Sequence, residues 1–186
     1  MIIQEGNFLD KLKNGLKRYN KPEKPKEFEG TKSISEKDFN KIISDITTIG
    51  SQYEKLCDKY DMSLVVNGDL DKAKKIFKSG NSANVNVSYA FAGGTYEDSF
   101  PDKNTWNKFA KDLTDFLHGL GFSNVDVEKG GFFTGSSKYP NISIELEYYD
   151  EVTLHIYGAK SKYKKLDSTN ESTSYLDKVI FENVNI

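Results

Sequence analysis

Three stretches of this 186-residue sequence predict an α+β fold: a mostly helical N-terminal region, then an antiparallel sheet covered on one face by a helix. NISIELEYYDEVTLHIYG, residues 141–158, alternates apolar and polar residues on both sides of a polar centre, as a half-buried hairpin does. Asn84 to Phe91 alternates likewise, with Val85, Val87, Tyr89 and Phe91 on one side. Between these two stretches, Trp106, Phe109, Ala110, Leu113, Phe116, Leu117 and Leu120 recur at the spacing of one helix face.

The elements follow in order. Asn7 caps a short helix to Tyr19, with Phe8, Leu9, Leu12, Leu16 and Tyr19 on one stripe. Residues 20–34 combine Pro, Gly and mixed charge and read as a linker. Ser35 with Asp38 resembles a capping box and opens a long helix to about Lys59, its stripe running from Phe39 through Ile42, Ile46, Ile49, Tyr53 and Cys57. Thr47, Thr48, Ile49 and Gly50 are poor helix formers in its middle. MSLVVNGDL reads as a short strand and turn, and Asp69 caps a helix that Gly80 stops. After the strand at 84–91 and the Trp106 helix, FSNVDVEK reads as a short strand and KGGFFTGSSKYP as a loop. The hairpin, a lysine-rich loop at 158–174 and a last strand around Lys178 to Val184 complete a β-α-β-β-β-β order. Two regions are therefore expected: 1–80, helical, with its linker, and 81–186, the α+β domain.

Composition narrows the function. No apolar run approaches the roughly 18 residues of a membrane span, and the first residues lack the basic and apolar regions of a leader, so a cytoplasmic protein is expected. Cys57, the one cysteine, can form neither an internal disulfide nor a multi-cysteine zinc site. The net charge of −2 hides segregation. Residues 1–80 hold 16 basic and 13 acidic side chains, residues 81–157 hold 5 and 11, and residues 158–186 hold 5 and 4. Arg18 is the only arginine, and arginine is the side chain best suited to bidentate contacts with guanine, so sequence-specific DNA reading is disfavoured.

In the hairpin, directly opposite residues share a face, so Tyr148 pairs with Val152, Leu146 with Leu154 and Ile144 with Ile156. Tyr149-Asp150-Glu151 is left as a three-residue turn. The same register sets Glu145 opposite His155, Glu147 opposite Thr153 and Ser143 opposite Tyr157. A carboxylate beside an imidazole favours the protonated ring, which suits a general acid or an acid-responsive contact; the pattern equally describes the polar decoration of a solvated sheet face. Candidate catalytic residues are His155, Glu145 and Tyr157. Candidate partner-contact residues are Glu145, Glu147, Tyr149, Asp150, Glu151, Thr153 and His155. Phe132 and Phe133, side by side between glycines, are either an exposed aromatic plug for a partner or core residues. The outer face carries no apolar set for a second layer, so it is expected to stay accessible.

Other motifs point nowhere. His118 lies where a helix dipole favours a cation, and two histidines far apart make no metal site. Asp69 and Asp71 lack the remaining positions of a calcium loop. Neither AGGTYEDS nor KGGFFTGSS matches a phosphate-binding pattern. Ser136 and Ser137 have no nucleophile elbow. No cofactor and no metal are expected.

The chain is nearly arginine-free, and its acidic centre includes YEDSFPDKNTWNKFAKDLTDF and IELEYYDE. It resembles, in profile, proteins encoded by mobile elements and phages of low-GC Gram-positive bacteria, above all the small anti-CRISPR inhibitors of Cas9. The resemblance implies a binding protein that places carboxylates in a basic nucleic-acid groove of a partner. It carries over no functional residue, and the basic N-terminal third departs from a pure nucleic-acid mimic in a way that suits contact with guide RNA. Two other functions are compatible with the residues: a metal-independent ribonuclease using His155 with Glu145 and Tyr157, and a non-enzymatic accessory or regulatory protein of a mobile element.

Overall fold

The computed structural model describes residues 30–92, 96–123, 125–134, 136–148 and 151–164. In chain order the elements are β1 (Lys32–Ile34), α1 (Glu36–Asp58), β2 (Leu64–Gly68), α2 (Leu70–Lys78), β3 (Ala83–Phe91), α3 (Tyr96–Ser99), α4 (Lys103–Gly119), β4 (Gly131–Phe133), β5 (Ile142–Tyr148) and β6 (Val152–Tyr163). The fold is α+β. Its sheet runs β2-β3-β6-β5-β4 with antiparallel neighbours, and β1 pairs in parallel with the last residues of β6, where β5 has ended.

Local chemistry accounts for the helix starts. The Ser35 hydroxyl accepts from the Asp38 N–H at 3.1 Å, the Asp69 carboxylate from Lys72 N–H at 2.7 Å, and the Asp102 carboxylate from Asn104 N–H at 2.7 Å and Thr105 N–H at 3.0 Å. α1 runs through its β-branched centre unbroken, with the Thr47 and Thr48 hydroxyls donating back to the Ile43 and Ser44 carbonyls, each at 2.9 Å. Gly50 sits there for packing. A Cβ at this position would fall 1.8 Å from the Tyr89 Oη, so the helix face is flat where the β3 tyrosine crosses it.

Among the described residues, all the longer helices share one sheet face. β3, β5 and β6 present Val85, Val87, Tyr89, Ile144, Leu146, Leu154 and Ile156 inward, all buried. The Trp106 helix, α4, covers this face as expected. α1 of the helical N-terminal region lies across it as well, with Ile42 Cγ2 so close to β6 that a Cβ on Gly158 would come within 2.6 Å. α2 joins them through Phe77, stacked on Phe39 of α1 at 3.9 Å between ring centres. α1 and α4 are clasped at one end by Asp112, which accepts from Lys59 Nζ at 2.6 Å and Tyr60 Oη at 2.7 Å.

Several expectations are corrected. Of the linker at 20–34, residues 32–34 are β1; a three-residue strand has no period of its own and is specified by its partner. Strand pairing also crosses the expected boundary at 80, since β1 and β2 belong to the same sheet as β3 to β6. The strand expected in FSNVDVEK is absent among its described residues; Phe122 and Val127 are instead buried from irregular chain and a turn. The loop expected at 131–133 is β4. The lysine-rich loop expected from 158 begins as strand, because Ala159 and Ser161 are buried while Lys160 and Lys162 face solvent. The helix expected at 7–19 and the strand expected at 178–184 lie outside the described residues.

Tyr53 is fully buried in α1, and its Oη has no oxygen or nitrogen partner among the described residues, only the Cys57 thiol, a weak acceptor, beside it. Tyr53→Phe removes that desolvated hydroxyl without changing the packing. It is expected to raise stability by about 1 kcal/mol, read as a higher urea midpoint at unchanged m-value.

Burial also moves three acidic protons. It holds the Tyr53 phenol well above its ordinary value and pushes the Cys57 thiol up to about 12. Tyr60 rises to about 12, first through desolvation and then through its bond to the Asp112 carboxylate. Each raised group stays protonated in the folded state while the unfolded chain begins to lose the proton near its ordinary value, 9.0 for the thiol. Stability should therefore be full below about pH 9 and fall as pH rises towards about 12. Urea unfolding at a series of alkaline pH values checks this, and Cys57→Ala should make the decline shallower.

Candidate functional site

The hairpin register is the one read from the alternation: Ile144 faces Ile156, Leu146 faces Leu154, Tyr148 faces Val152, and on the outer face Glu145 lies opposite His155, Glu147 opposite Thr153 and Ser143 opposite Tyr157. The side chains, however, bond along diagonals. Tyr157 Oη donates to Glu145 Oε2 at 3.1 Å, and His155 Nε2 lies 3.2 Å from Glu147 Oε2. Long side chains on a twisted pair of strands reach the diagonal neighbour readily. The hairpin thus carries two carboxylate pairs side by side, each carboxylate on β5 and each partner on β6.

β4 adds to this face. Phe132 lies opposite Glu145, and its ring approaches Tyr157 at 6.3 Å between centres; Tyr157 in turn stacks on His155 at 5.9 Å and 15°. The three rings form a row over the strands. Glu145, flanked by Phe132 on one side and the β6 side chains on the other, is only 6% exposed, and Ser143 and Thr153 are buried too. The expectation of a wholly accessible face therefore holds for Glu147, which is exposed, but not for Glu145 or Thr153. Every described helix of eight or more residues packs on the inner face, so none of them accounts for this burial.

Phe133 takes the core alternative. It lies opposite Ile144 on the inner face and is buried, so it is no contact residue. Glu151 is exposed and accepts from Thr153 Oγ1 at 3.1 Å. Tyr149 and Asp150 fall outside the described residues.

Burial first, and then the Glu145 and Glu147 carboxylates, keep the Tyr157 phenol far above its ordinary value, so its proton stays in place at neutral pH. His155 is half-buried between Tyr157 and Glu147. His118 is exposed in the last turn of α4 and does not meet His155. Among the described residues, no three His, Cys, Asp or Glu side chains group to hold a metal ion, and no helix is long and apolar enough to cross a membrane.

Phe132 was a candidate contact residue from the sequence, but its place on a strand opposite Glu145 was not read. Its signal was the alternation of Phe132 and Phe133 as a short strand, which the surrounding glycines masked. Compared with known proteins, the chain matches no family model, no curated relative and no solved structure.

Proposed function

We propose that this chain is a non-enzymatic binding protein that inhibits a nucleic-acid-handling partner, a Cas9-type CRISPR effector or its guide-RNA complex, in the cytoplasm of a bacterial host. The outer sheet face is the contact surface. The observation that carries this reading is the pair of diagonal hydrogen bonds, which fix Glu145 and Glu147 next to each other beside a row of rings. Glu147, exposed and oriented before the encounter by His155, loses little freedom on meeting a basic groove; the buried Glu145 fixes Tyr157 beside it, and the rings supply rigid contact area at low entropic cost. The acidic balance of residues 81–157 steers the same approach.

A ribonuclease is the second reading, favoured by the His155–Glu147 pair as a proton donor. Its weakness is the burial of Glu145, whose carboxylate is occupied by the Tyr157 hydroxyl and has little access to a substrate.

One experiment separates the two: purified protein is incubated with labelled RNA, and separately with a Cas9-type nuclease, its guide and target DNA. Loss of DNA cleavage with intact RNA supports inhibition, whereas RNA fragments that vanish in His155→Ala support the hydrolase. Glu147→Ala, at an exposed position, is expected to change stability by less than about 0.5 kcal/mol and to weaken inhibition by about tenfold or more. Glu145→Ala removes the acceptor of the Tyr157 bond and should in addition cost about 1 kcal/mol. If both variants inhibit as well as the parent protein, the face is only solvated.

A further inference from the structure

A second concave surface lies at the other side of the sheet's end, where α3 and the first turn of α4 meet the end of β5. It encloses about 700 Å³. One wall is aromatic: Trp106 of α4 stacks on Tyr148 of β5 at 5.4 Å and 10°, and Phe100 meets the Trp106 ring edge-on at 5.1 Å. Each ring is held by its neighbours, so the wall is rigid. The opposite rim is acidic, with Glu97 from α3 and Glu128 from the turn before β4, both exposed and neither in an ion pair among the described residues.

The third carboxylate there, Asp102, has a different task. It accepts from two backbone N–H groups and from the Thr105 hydroxyl as the cap of α4, which lowers its pKa and keeps it ionised, so it adds negative field without offering a free acceptor. Lys103 is the one cation in the lining. The balance is negative over an apolar floor. Such a surface suits an organic cation on a long apolar stem: methylenes lie against the half-buried Tyr148 and the small part of Trp106 and Phe100 left accessible, and the charged end reaches the carboxylates. A hard metal ion would need convergent oxygens in place of the rings.

We propose that this cavity binds an arginine or lysine side chain presented by a basic peptide segment of a partner. The site is separate from the outer face, and it stands whether or not the inhibitory reading of that face does.

Trp106 is the only tryptophan in the chain, so its emission reports on this cavity directly. The probe is a short arginine-rich peptide, compared with the same peptide carrying glutamine at each arginine. The expected result is a saturable change of Trp106 emission with the basic peptide alone. Glu97→Gln with Glu128→Gln should weaken binding by about tenfold, while Lys103→Ala, which removes a like charge from the rim, should tighten it. Glu147→Ala on the outer face should bind the peptide unchanged, so failure here and failure of the outer-face reading are distinguishable. All these substitutions are at exposed positions, and thermal melts by circular dichroism confirm that each variant is folded. Equal affinity for the glutamine peptide, indifference to the double substitution, or absence of saturable binding by calorimetry would overturn the proposal.

Discussion

Phe109→Ala is expected to lower stability by about 3–5 kcal/mol, the range for deleting a fully buried aromatic ring. Phe109 is wholly inaccessible, and its ring meets four others, Tyr60 at 5.4 Å, Phe91 at 5.8 Å, Phe100 at 5.1 Å and Trp106 at 6.0 Å. Truncation removes the transfer energy of the ring, leaves a cavity, and forfeits several edge-to-face contacts together. Those neighbours come from the end of α1, from β3, from the segment before α4 and from α4 itself, so the cavity has rigid walls and collapses poorly. Against a total stability of about 5–15 kcal/mol the loss is severe. Urea denaturation checks it; a loss below about 1 kcal/mol would mean that α4 does not seat where the structure has it.

The second large effect belongs to Leu154, at the centre of β6. Leu154→Ala should cost about 2–5 kcal/mol, because its side chain is fully buried and lies between Leu146 of β5 and Tyr89 of β3, beneath the helices. Its chain neighbour His155 points to the opposite face. His155→Ala should therefore disturb stability far less, and equal losses at the two positions would contradict the inward and outward assignment of β6.

The hairpin was legible because two physical constraints coincide there: strict alternation fixes the faces, and a three-residue turn fixes the register, so the partners of Glu145, Glu147 and His155 across the hairpin follow from spacing. The helix caps at Ser35, Asp69 and Asp102 are short-range chemistry, and two of them, Ser35 and Asp69, were read directly. What stayed hidden depends on partners distant in sequence. β1 and β4 have three residues each, too few for a period, and exist because β6 and β5 offer them edges. The diagonal choice of Tyr157 for Glu145 depends on strand twist and rotamer. The pairing of Phe132 with Glu145 is made by a strand that local pattern could not distinguish from a glycine-rich loop. The cavity under Trp106 had no signal at all, since Tyr148 and Glu128 approach it only after the sheet has formed.

The parallel strand β1 has a consequence for the order of assembly. Lys32 Nζ bonds to Asn141 Oδ1, 109 positions away along the chain, and Lys164 N–H donates to the Ile34 carbonyl at 2.9 Å. Closing so long a loop for a three-residue pairing is entropically unrewarding by itself. Only Ser35 separates β1 from α1, and α1 docks over Gly158 through its own large apolar face. Docking of that helix delivers β1 to the end of β6 as a by-product. β1 is then a latch that engages once α1 has docked, and its release would free the end of β6 without unseating α1.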